Sequence, residues 1–446
     1  MLSTALSLLA ALLAILLVIV LHELGHFSVA RACGIKIQRF SVGFGKVIWR
    51  RTDRRGTEYT LCILPLGGYV KMLGEGSESV GESDKAFAFN HKPLWMRALV
   101  VFAGPFVNFI LAIFLFWVVF QLGITHIPPV IGEVIPHSIA ADAGLKSGDE
   151  IKKMGQWPVY NWQSVAMHLM WNLGDENTLN VTVKAKQTKV LETRHLNLDS
   201  WSVDDENPQL FQSIGFLPFQ PKIPPVILAI QSDSPAAHLL KPGDKIVGIN
   251  HQAMDDWFKV AQFLQEHPDQ KIELSIERDH QIQTMDVYLS HRNAMGYLGV
   301  QVQQPQWPKS YSQEEHYSWL GAMSRAAAQT VELIAFNGIV LLKMVTGKLS
   351  LHSLSGPIAI FQTAGSAFKV GLSAYLGFIA FISVSLGFIN LLPIPCLDGG
   401  YLFFFLIEAL CGRPIPERYQ QILLRLGLLF LVLLMTQAVM NDLLRY

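Results

Sequence analysis

An uninterrupted apolar run occupies residues 2–21 and leads directly into the five residues His22-Glu23-Leu24-Gly25-His26. A run of about 20 apolar residues is long enough to cross a bilayer as a helix. Residues four apart lie on one face of a helix, so His22 and His26 can direct ring nitrogens at one metal ion, with Glu23 beside them as a general base. The sequence therefore predicts a metal site at membrane depth.

The same pattern also arises by chance, because it fixes only three positions in five. Ionisable groups at membrane depth are costly and are usually functional, which favours the metal site. Catalytic zinc usually takes three protein ligands and keeps one position open. A third donor must therefore come from elsewhere in the chain.

The composition indicates an integral membrane protein that carries a soluble insert. Of the 446 residues, 51% are hydrophobic and only 16% are charged, which is more apolar than an ordinary soluble enzyme. The formal net charge is zero, so the charge gives no indication of a nucleic-acid partner. The expected surroundings are the lipid bilayer.

Four segments are long and apolar enough to span a bilayer: residues 2–21, 98–122, 375–392 and 423–439. Lysine and arginine are concentrated between the first and second segments and just before the fourth, which assigns those loops to the cytoplasm. Both termini and the long insert then lie on the opposite side, which is the periplasm if the source is a Gram-negative bacterium. The sequence predicts a multi-pass inner-membrane protein with an active site towards the cytoplasmic side.

The insert contains an internal duplication. The sequence IPPVI at 127–131 recurs at 223–227, and the pattern S-x-A-A followed by L-K-x-G-D-x-I at 138–151 recurs at 234–246. Repeats of this length are whole domains, and alternating short strands with one modest helix predict two tandem β-rich modules. They resemble the PDZ domains of bacterial proteases, which bind an extended peptide or a C-terminus by strand addition. The alternative is that they bind no peptide and cover the membrane site as a bulky plug.

The third donor is predicted at Asp398. Two prolines, Pro393 and Pro395, and two glycines, Gly399 and Gly400, flank it within apolar sequence. Broken backbone at membrane depth is tolerated only where it is buried in protein or lines a wet cavity. Counted inward from the outer surface, this acid and the first histidine lie at a similar depth of about 30 to 35 Å. Capping of the following helix is the alternative role for this carboxylate.

The stretch between the first two spans is predicted to contain β-structure. Residues 35–49 alternate around Gly43-Phe44-Gly45-Lys46, and residues 59–72 contain a second glycine-bearing turn. Both stretches are typical of amphipathic hairpins that return to the membrane. The alternative is a cytoplasmic hairpin that only packs.

Together, H-E-x-x-H in the first span, the paired PDZ-like modules and N-x-x-P-x-P-x-L-D-G-G near the third resemble the site-2 protease family in its bacterial branch. The resemblance covers nearly the whole chain. It implies that His22, His26 and Asp398 bind Zn²⁺ and that Glu23 is the base. It also implies that Asn390 hydrogen-bonds the freed backbone of a substrate. The alternative is that Asn390 only caps the broken helix turns.

Further residues match elements of this family. Gly104, Pro105 and Asn108 in the second span match G-P-x-x-N, for which the resemblance implies packing or substrate positioning. Residues predicted to contact substrate in the re-entrant loop and the broken helix are Gly43, Phe44, Gly45, Pro393 and Pro395.

The resemblance implies an intramembrane zinc endopeptidase that cleaves single-span membrane proteins after a first protease has trimmed them. An anti-sigma factor of an envelope stress response and leftover signal peptides are the expected substrates. The modules would exclude untrimmed substrates or bind periplasmic or substrate C-termini. Two other hypotheses are a catalytically silent scaffold that presents PDZ modules, and a membrane-anchored protease that acts on soluble misfolded chains.

The predicted organisation has eight parts. They are a first transmembrane helix with the histidine motif at 1–34, a re-entrant β region at 35–97, a second transmembrane helix at 98–123, two PDZ domains at 124–220 and 221–316, an amphipathic interfacial segment at 317–372, a third transmembrane helix with the Asp398 motif at 373–410, and a fourth at 411–446.

Overall fold

A computed structural model of the chain describes residues 2–75, 80–174, 177–186, 188–199, 201–203, 209–292, 295–302, 313–350 and 354–445. The helices are α1 Leu2–Ala32, α2 Leu94–Leu122, α3 Ile139–Asp142, α4 Trp162–Asn172, α5 Leu210–Ile214, α6 Trp257–Glu266, α7 Trp319–Val345, α8 Pro357–Val370, α9 Leu372–Asn390, α10 Asp398–Cys411 and α11 Glu417–Arg445. Two short 3₁₀ helices, Glu82–Phe87 and Phe89–His91, precede α2.

The strands fall into the stretch between α1 and α2 and into the insert. They are β1 Ile37–Thr52, β2 Glu58–Met72, β3 Ile124–His126, β4 Ile131–Val134, β5 Glu150–Met154, β6 Trp157–Pro158, β7 Thr178–Lys184, β8 Leu191–Asn197, β9 Phe216–Pro218, β10 Ile227–Ile230, β11 Lys245–Ile249, β12 Gln252–Ala253, β13 Lys271–Arg278, β14 Gln281–Tyr288, β15 Ser290–Arg292, β16 Met295–Tyr297, β17 Val300–Val302 and β18 Gln313–Glu315.

Five helices in the described part of the chain are long and apolar enough to cross a membrane, one more than the four predicted. These spans are Leu6–Ala32, Leu94–Leu122, Trp319–Val345, Leu372–Asn390 and Glu417–Leu444. Four of them coincide with the predicted segments. The additional one, α7, falls in the stretch that was expected to lie along the membrane surface.

α7 contacts both the insert and the other long helices. Near its beginning, the guanidinium of Arg325 lies 5.0 Å from the ring centroid of Tyr160, and near its end Lys343 Nζ donates to the Leu173 carbonyl at 2.6 Å. Tyr160 precedes α4 and Leu173 follows it, so α7 runs alongside the first module of the insert. Asn337 and Gly338 of α7 also lie against Ser385 and Phe388 of α9, so α7 packs on the helix bundle as well. The four-span arrangement stays a prediction.

The remaining long helices pack with defined directions. The Tyr375 hydroxyl donates to the Ala10 carbonyl at 2.6 Å, so α1 and α9 begin at the same end of the bundle. The carboxylate of Asp442, near the end of α11, accepts the backbone N–H groups of Gly356 at 2.9 Å and Ala359 at 3.1 Å. The end of α11 therefore caps the beginning of α8, and α2 runs antiparallel between α1 and α9.

The β region differs from the two separate hairpins that were predicted. β1 and β2 form one bent ladder in which residues 39–42 pair antiparallel with 68–71 on one side and in parallel register with 58–61 on the other. Residues 47–52 pair with 58–62, so four segments lie side by side in the order 68–72, 37–42, 58–62 and 47–52. Gly43 and Gly45, with φ of 86° and 88°, provide the bend in β1. The outer side of residues 68–72 is the side that faces away from residues 37–42, and no described strand pairs with it.

The insert consists of two modules with the same topology. The first has a sheet in the order β6-β5-β7-β8, a β4-β9 pair and helix α4, and the second has β12-β11-β13-β14, β10-β17 and α6. β3 pairs with β18, which brings the two ends of the insert together. The repeated sequence therefore corresponds to a repeated structure, as the duplication predicted.

The aspartate of the repeated Gly-Asp dipeptide has a structural role in both modules. Asp149 accepts the backbone N–H of Lys146 at 3.0 Å, and Asp244 accepts that of Lys241 at 2.7 Å. In the second module Arg278 also donates to both carboxylate oxygens of Asp244, at 2.8 and 2.6 Å. Burial alone would raise the pKa of Asp244, but these hydrogen bonds outweigh it and lower the pKa below its ordinary value.

We expect Arg278→Gln to destabilise the second module by about 2 kcal/mol, because it leaves a buried carboxylate without its charged partner. The measurement is amide hydrogen exchange of β11 and β13 in the full-length protein, where protection should fall about 30-fold. The loss of stability caused by the substitution should shrink as the pH falls through the lowered pKa of Asp244, because protonation removes the charge that Arg278 neutralises.

Lys271→Gln is the matched control, because Lys271 pairs with Asp286 on the exposed surface of the same module. It should change stability by less than about 0.5 kcal/mol. Equal protection in the Arg278 variant and this control would contradict the structural role of the buried pair.

Candidate metal centre

The centre forms where α1 and α2 cross at glycines. A Cβ on Gly25 would lie 2.5 Å from the Ala103 carbonyl oxygen, so only glycine lets the two backbones approach this closely. A Cβ on Gly104 would lie 2.3 Å from His26 Nε2 and 2.8 Å from His22 Cε1. The imidazoles therefore occupy the space that a side chain at Gly104 would fill.

His22, His26 and Asp398 converge at this crossing, although Asp398 lies more than 370 positions after the two histidines. His22 Nε2 lies 3.2 Å from Asp398 Oδ2, His26 Nε2 lies 3.4 Å from the same oxygen, and the two Nε2 atoms are 3.2 Å apart. Ligand atoms about 2.0 to 2.1 Å from a tetrahedral zinc lie about 3.3 to 3.4 Å from one another. The donor atoms and their spacing fit zinc, and the assignment as ligands stays a prediction.

Asp398 is the first residue of α10, directly after a turn at residues 391–397. The turn contains Cys396 at a φ of 82°, and it passes so close to the next helix that a Cβ on Gly399 would lie 2.2 Å from the Leu392 carbonyl oxygen. The N-cap of α10 is Leu397, so Asp398 does not occupy the capping position. Its Oδ2 is buried, lacks a hydrogen-bond partner among the described residues and faces the imidazoles. A cation would satisfy it.

The Nδ1 atoms of both imidazoles, which do not face Asp398, have polar neighbours. His26 Nδ1 lies 2.9 Å from the Val100 carbonyl oxygen, one turn before Gly104 on α2. His22 Nδ1 lies 3.2 Å from Asn108 Nδ2, one turn after Gly104. Contacts of this kind fix the orientation of metal-binding imidazoles.

Glu23 lines a cavity of about 720 Å³ together with the three convergent residues. Its carboxylate accepts the backbone N–H of Val70, and a Cβ on Gly68 would lie 3.1 Å from Glu23 Cγ. The outer side of residues 68–72 therefore forms a wall of the cavity, with Glu23 against it. The Met72 N–H on the same side donates to the Glu75 carboxylate at 3.1 Å.

The other predicted contact residues are placed as follows. Asn390 Nδ2 lies 3.4 Å from His22 Nε2, on the side of the ring that faces Asp398. Phe44 stacks on Tyr69, which lines the cavity, with ring centroids 6.3 Å apart. None of the predicted substrate-contact residues is part of the described cavity lining; these residues are Asn390, Phe44, Gly43, Gly45, Pro393 and Pro395.

Gly43 and Gly45 form the bend in β1, and Pro395 packs through its carbonyl against Gly427 of α11, where a Cβ would lie 2.0 Å from that oxygen. In α2, Pro105 brings its carbonyl oxygen within 3.1 Å of a Cβ on Gly387. These observations give the glycines and prolines roles in shaping the backbone. Their substrate contacts stay predictions.

Sequence reasoning missed several residues of the cavity wall. Tyr401 lies three residues after Asp398 on α10 and therefore on the same helical face, a spacing that could have identified it. Arg97 and Glu408, which both line the cavity, form an ion pair at 2.5 Å. Nothing in the sequence connects these two residues, because they are 311 positions apart.

The chain matches one family along most of its length. The family described as peptidase family M50 matches residues 10–434. The Salmonella typhimurium protein named regulator of sigma-E protease RseP is 40% identical over 447 residues, which cover 99% of each chain. The Escherichia coli protein of the same name is 38% identical over 429 residues, or 95% of each chain. A Vibrio cholerae protein named as a zinc metalloprotease is 38% identical over 439 residues, or 97% of each chain.

Among solved structures, the PDZ domain of an SdrC-like protein from Listeria monocytogenes matches with a TM-score of 0.17 and 16% identity, over 17% of this chain and 84% of that one.

The fold and the site define a class, a bundle of apolar helices with a two-histidine, one-carboxylate centre beside a glutamate, as in metalloproteases. The chain belongs to peptidase family M50, the site-2 protease family, and zinc is the metal that this membership implies.

We expect Gly104→Ala to lower zinc affinity by about tenfold or more, because the new methyl group would displace both imidazoles. Zinc per chain, measured on purified protein after dialysis, tests this. Gly377→Ala is the control, since a Cβ on this α9 glycine meets nothing within 4 Å. Full zinc retention in the Gly104 variant would contradict a metal centre at the helix crossing.

Proposed function

We propose that the chain is a zinc endopeptidase that cleaves transmembrane segments of single-span membrane proteins. The observation that carries the proposal is the convergence of His22, His26 and Asp398, with donor atoms 3.2 to 3.4 Å apart, on the wall of a cavity that also contains Glu23. Each of these groups lies on or between apolar helices. Membership of family M50 supports the same chemistry.

Zinc bound at this centre would polarise the scissile carbonyl and make water a better nucleophile. Glu23 is the base that takes the proton from the attacking water and then gives it to the leaving amine, which balances the protons of hydrolysis. The Val70 N–H orients the Glu23 carboxylate against the cavity wall. Asp398 and the two imidazoles hold the metal.

A transmembrane helix satisfies its backbone internally, so its scissile bond must be exposed before it can be cleaved. The outer side of residues 68–72 offers backbone groups to an extended chain, because no described strand occupies it. We propose that the substrate pairs with this edge in extended form. Asn390 supports the proposal, since its amide is half-buried and lies beside the metal-facing nitrogen of His22, where it would hydrogen-bond substrate backbone.

The β region is proposed to re-enter the membrane from the cytoplasm. Its bend exposes large apolar side chains, and the neighbouring turn carries arginines. The exposed apolar side chains are Phe44, Val47, Ile48, Trp49, Leu61, Ile63 and Leu64. A sheet with an apolar end and an arginine-bearing end can insert the apolar end into lipid and keep the charged end among the headgroups. The termini and the two modules would then lie on the periplasmic side of an inner membrane.

The relatives named regulators of sigma-E protease suggest the biological role. We propose that the substrate is an anti-sigma factor already trimmed by a first protease, with remnant signal peptides as further substrates. The two modules of the insert are proposed to be PDZ domains. They would either exclude untrimmed proteins by bulk or bind newly formed C-termini, and the attachment of the first module to α7 through Lys343 connects it to the membrane helices.

We expect Glu23→Gln to retain zinc and to lose activity by about 100- to 10,000-fold, because glutamine keeps the side-chain shape but cannot accept the proton. The measurements are zinc per chain and cleavage of a single-span substrate in detergent. Glu75→Gln is the control, as Glu75 is another carboxylate of the same cavity and should change activity only a few-fold. Retained activity in the purified Glu23 variant would refute the assignment.

A substrate trapped on the Glu23→Gln enzyme should form a disulfide with Cys396, the native cysteine that lines the cavity. The substrate carries one cysteine beside its scissile bond, and copper phenanthroline is the oxidant. Cys396→Ser should remove the product, whereas Cys411→Ser, at an exposed cysteine, should leave it unchanged. A product that forms through Cys411 would show that the scissile segment does not enter this cavity.

A further inference from the structure

His22 has an asparagine amide beside each ring nitrogen. Asn390 lies 3.4 Å from Nε2, the nitrogen that faces Asp398, and Asn108 lies 3.2 Å from Nδ1, the nitrogen that faces away. Asn108 is fully buried, with 0% of its surface exposed, whereas Asn390 is half-buried. The two amides therefore face opposite sides of one imidazole in different surroundings.

The Asn108 amide has an unmatched atom. As placed, its Nδ2 faces His22 Nδ1, while its Oδ1 is buried and has no hydrogen-bond partner among the described residues. A buried amide oxygen without a partner is costly, about 1 to 3 kcal/mol. A half-turn of the amide about its last torsion exchanges the two atoms and brings Oδ1 towards Nδ1.

Metal binding at Nε2 makes this exchange necessary. A neutral imidazole that binds metal through one nitrogen carries its proton on the other, and that N–H needs an acceptor. His26 has one in the Val100 carbonyl oxygen, 2.9 Å from its Nδ1. For His22 the polar group recorded at Nδ1 is the Asn108 amide. An Nδ1–H meeting Nδ2 would place two donors against each other.

We propose that Asn108 is a positioning residue whose Oδ1 accepts the Nδ1–H of His22 and thereby fixes the tautomer and ring orientation in which Nε2 binds zinc. This inference rests on the proposed function, because it takes zinc as the occupant of the centre. It assigns to Asn108 an action through His22 and not a contact with substrate.

Neighbouring helices hold Asn108 in place for this role. The Ser383 hydroxyl of α9 donates to the Asn108 backbone carbonyl at 2.8 Å, and a Cβ on Gly387 would lie 3.2 Å from Asn108 Cβ. α9 therefore packs directly on this position, and the amide can turn about its own axis but cannot leave the ring. The G-P-x-x-N spacing gains a physical explanation, since Gly104 makes room for the imidazoles and Asn108, one turn later, reaches His22.

The experiment measures zinc affinity, by competition with a chelator, on purified full-length variants. We expect Asn108→Leu, which has a similar shape and no acceptor, to weaken zinc binding by about 10- to 100-fold. Asn108→Asp keeps an acceptor oxygen and should remain within about threefold of the wild type. Asn390→Leu is the matched control at the other nitrogen, and it should retain zinc affinity while it loses cleavage activity.

Thermal unfolding of the zinc-free proteins accompanies the measurement, and Asn108→Ala replaces the leucine variant if leucine does not fold. Unchanged zinc affinity in the folded leucine or alanine variant would overturn the proposal. Equal weakening in the leucine and aspartate variants would also overturn it, because the acceptor would then make no difference. If the wild type itself binds no zinc, the proposed function fails instead, and the two failures are distinguishable.

Discussion

The close crossing of α1 and α2 is the contact on which the site depends. Two glycines face across it, Gly25 against the Ala103 carbonyl and Gly104 against both imidazoles. In a bilayer, helices associate through close packing of small residues, since lipid is as apolar as the helices and gives no hydrophobic gain. The absence of side chains at Gly25 and Gly104 both brings the helices together and leaves the volume that His22 and His26 fill. Helix packing and metal geometry are therefore determined by the same residues.

The second half of the centre depends on a break in helical structure. Between α9 and α10 the chain turns at residues 391–397, and its carbonyl oxygens lie so close to Gly399 and Gly400 that no side chain would fit there. Irregular backbone at membrane depth has to be enclosed by protein or wetted by a cavity. Here α11 covers one side through Gly427, and the cavity borders the other at Cys396 and Asp398. The break thus places a carboxylate at the start of a helix, opposite the histidines.

The sequence named three residues that the structure brings together, His22, His26 and Asp398, but it did not predict the architecture around them. Helical spacing placed His22 and His26 on one face, and the prolines and glycines around Asp398 indicated where a third donor could enter. These are local signals. The four-segment β region was not predicted, because its register depends on pairing between residues 37–42 and 68–72, which lie about 30 positions apart.

Other features also depend on distant contacts. The position of α7 rests on the contacts of Arg325 and Lys343 with the first module, which composition does not reveal. The Asp442 cap on α8 joins residues 86 positions apart. The role of Asn108 could not be separated from general packing by its motif alone, because the argument needs the distance to His22 and the unmatched oxygen.

The strand edge would connect the proposed substrate binding to Glu23, the proposed base. In an antiparallel segment, alternate residues direct their backbone groups to the same side. Val70 and Met72 both direct their N–H groups into the cavity, and these already donate to Glu23 and Glu75. An extended substrate that pairs with residues 68–72 must compete for these donors or pair around them. Displacement of Glu75 from Met72 would leave Glu23 in place, whereas displacement of Glu23 from Val70 would free the base to turn towards water. In the proposed function, substrate pairing and the position of the proton acceptor would therefore be coupled through one strand.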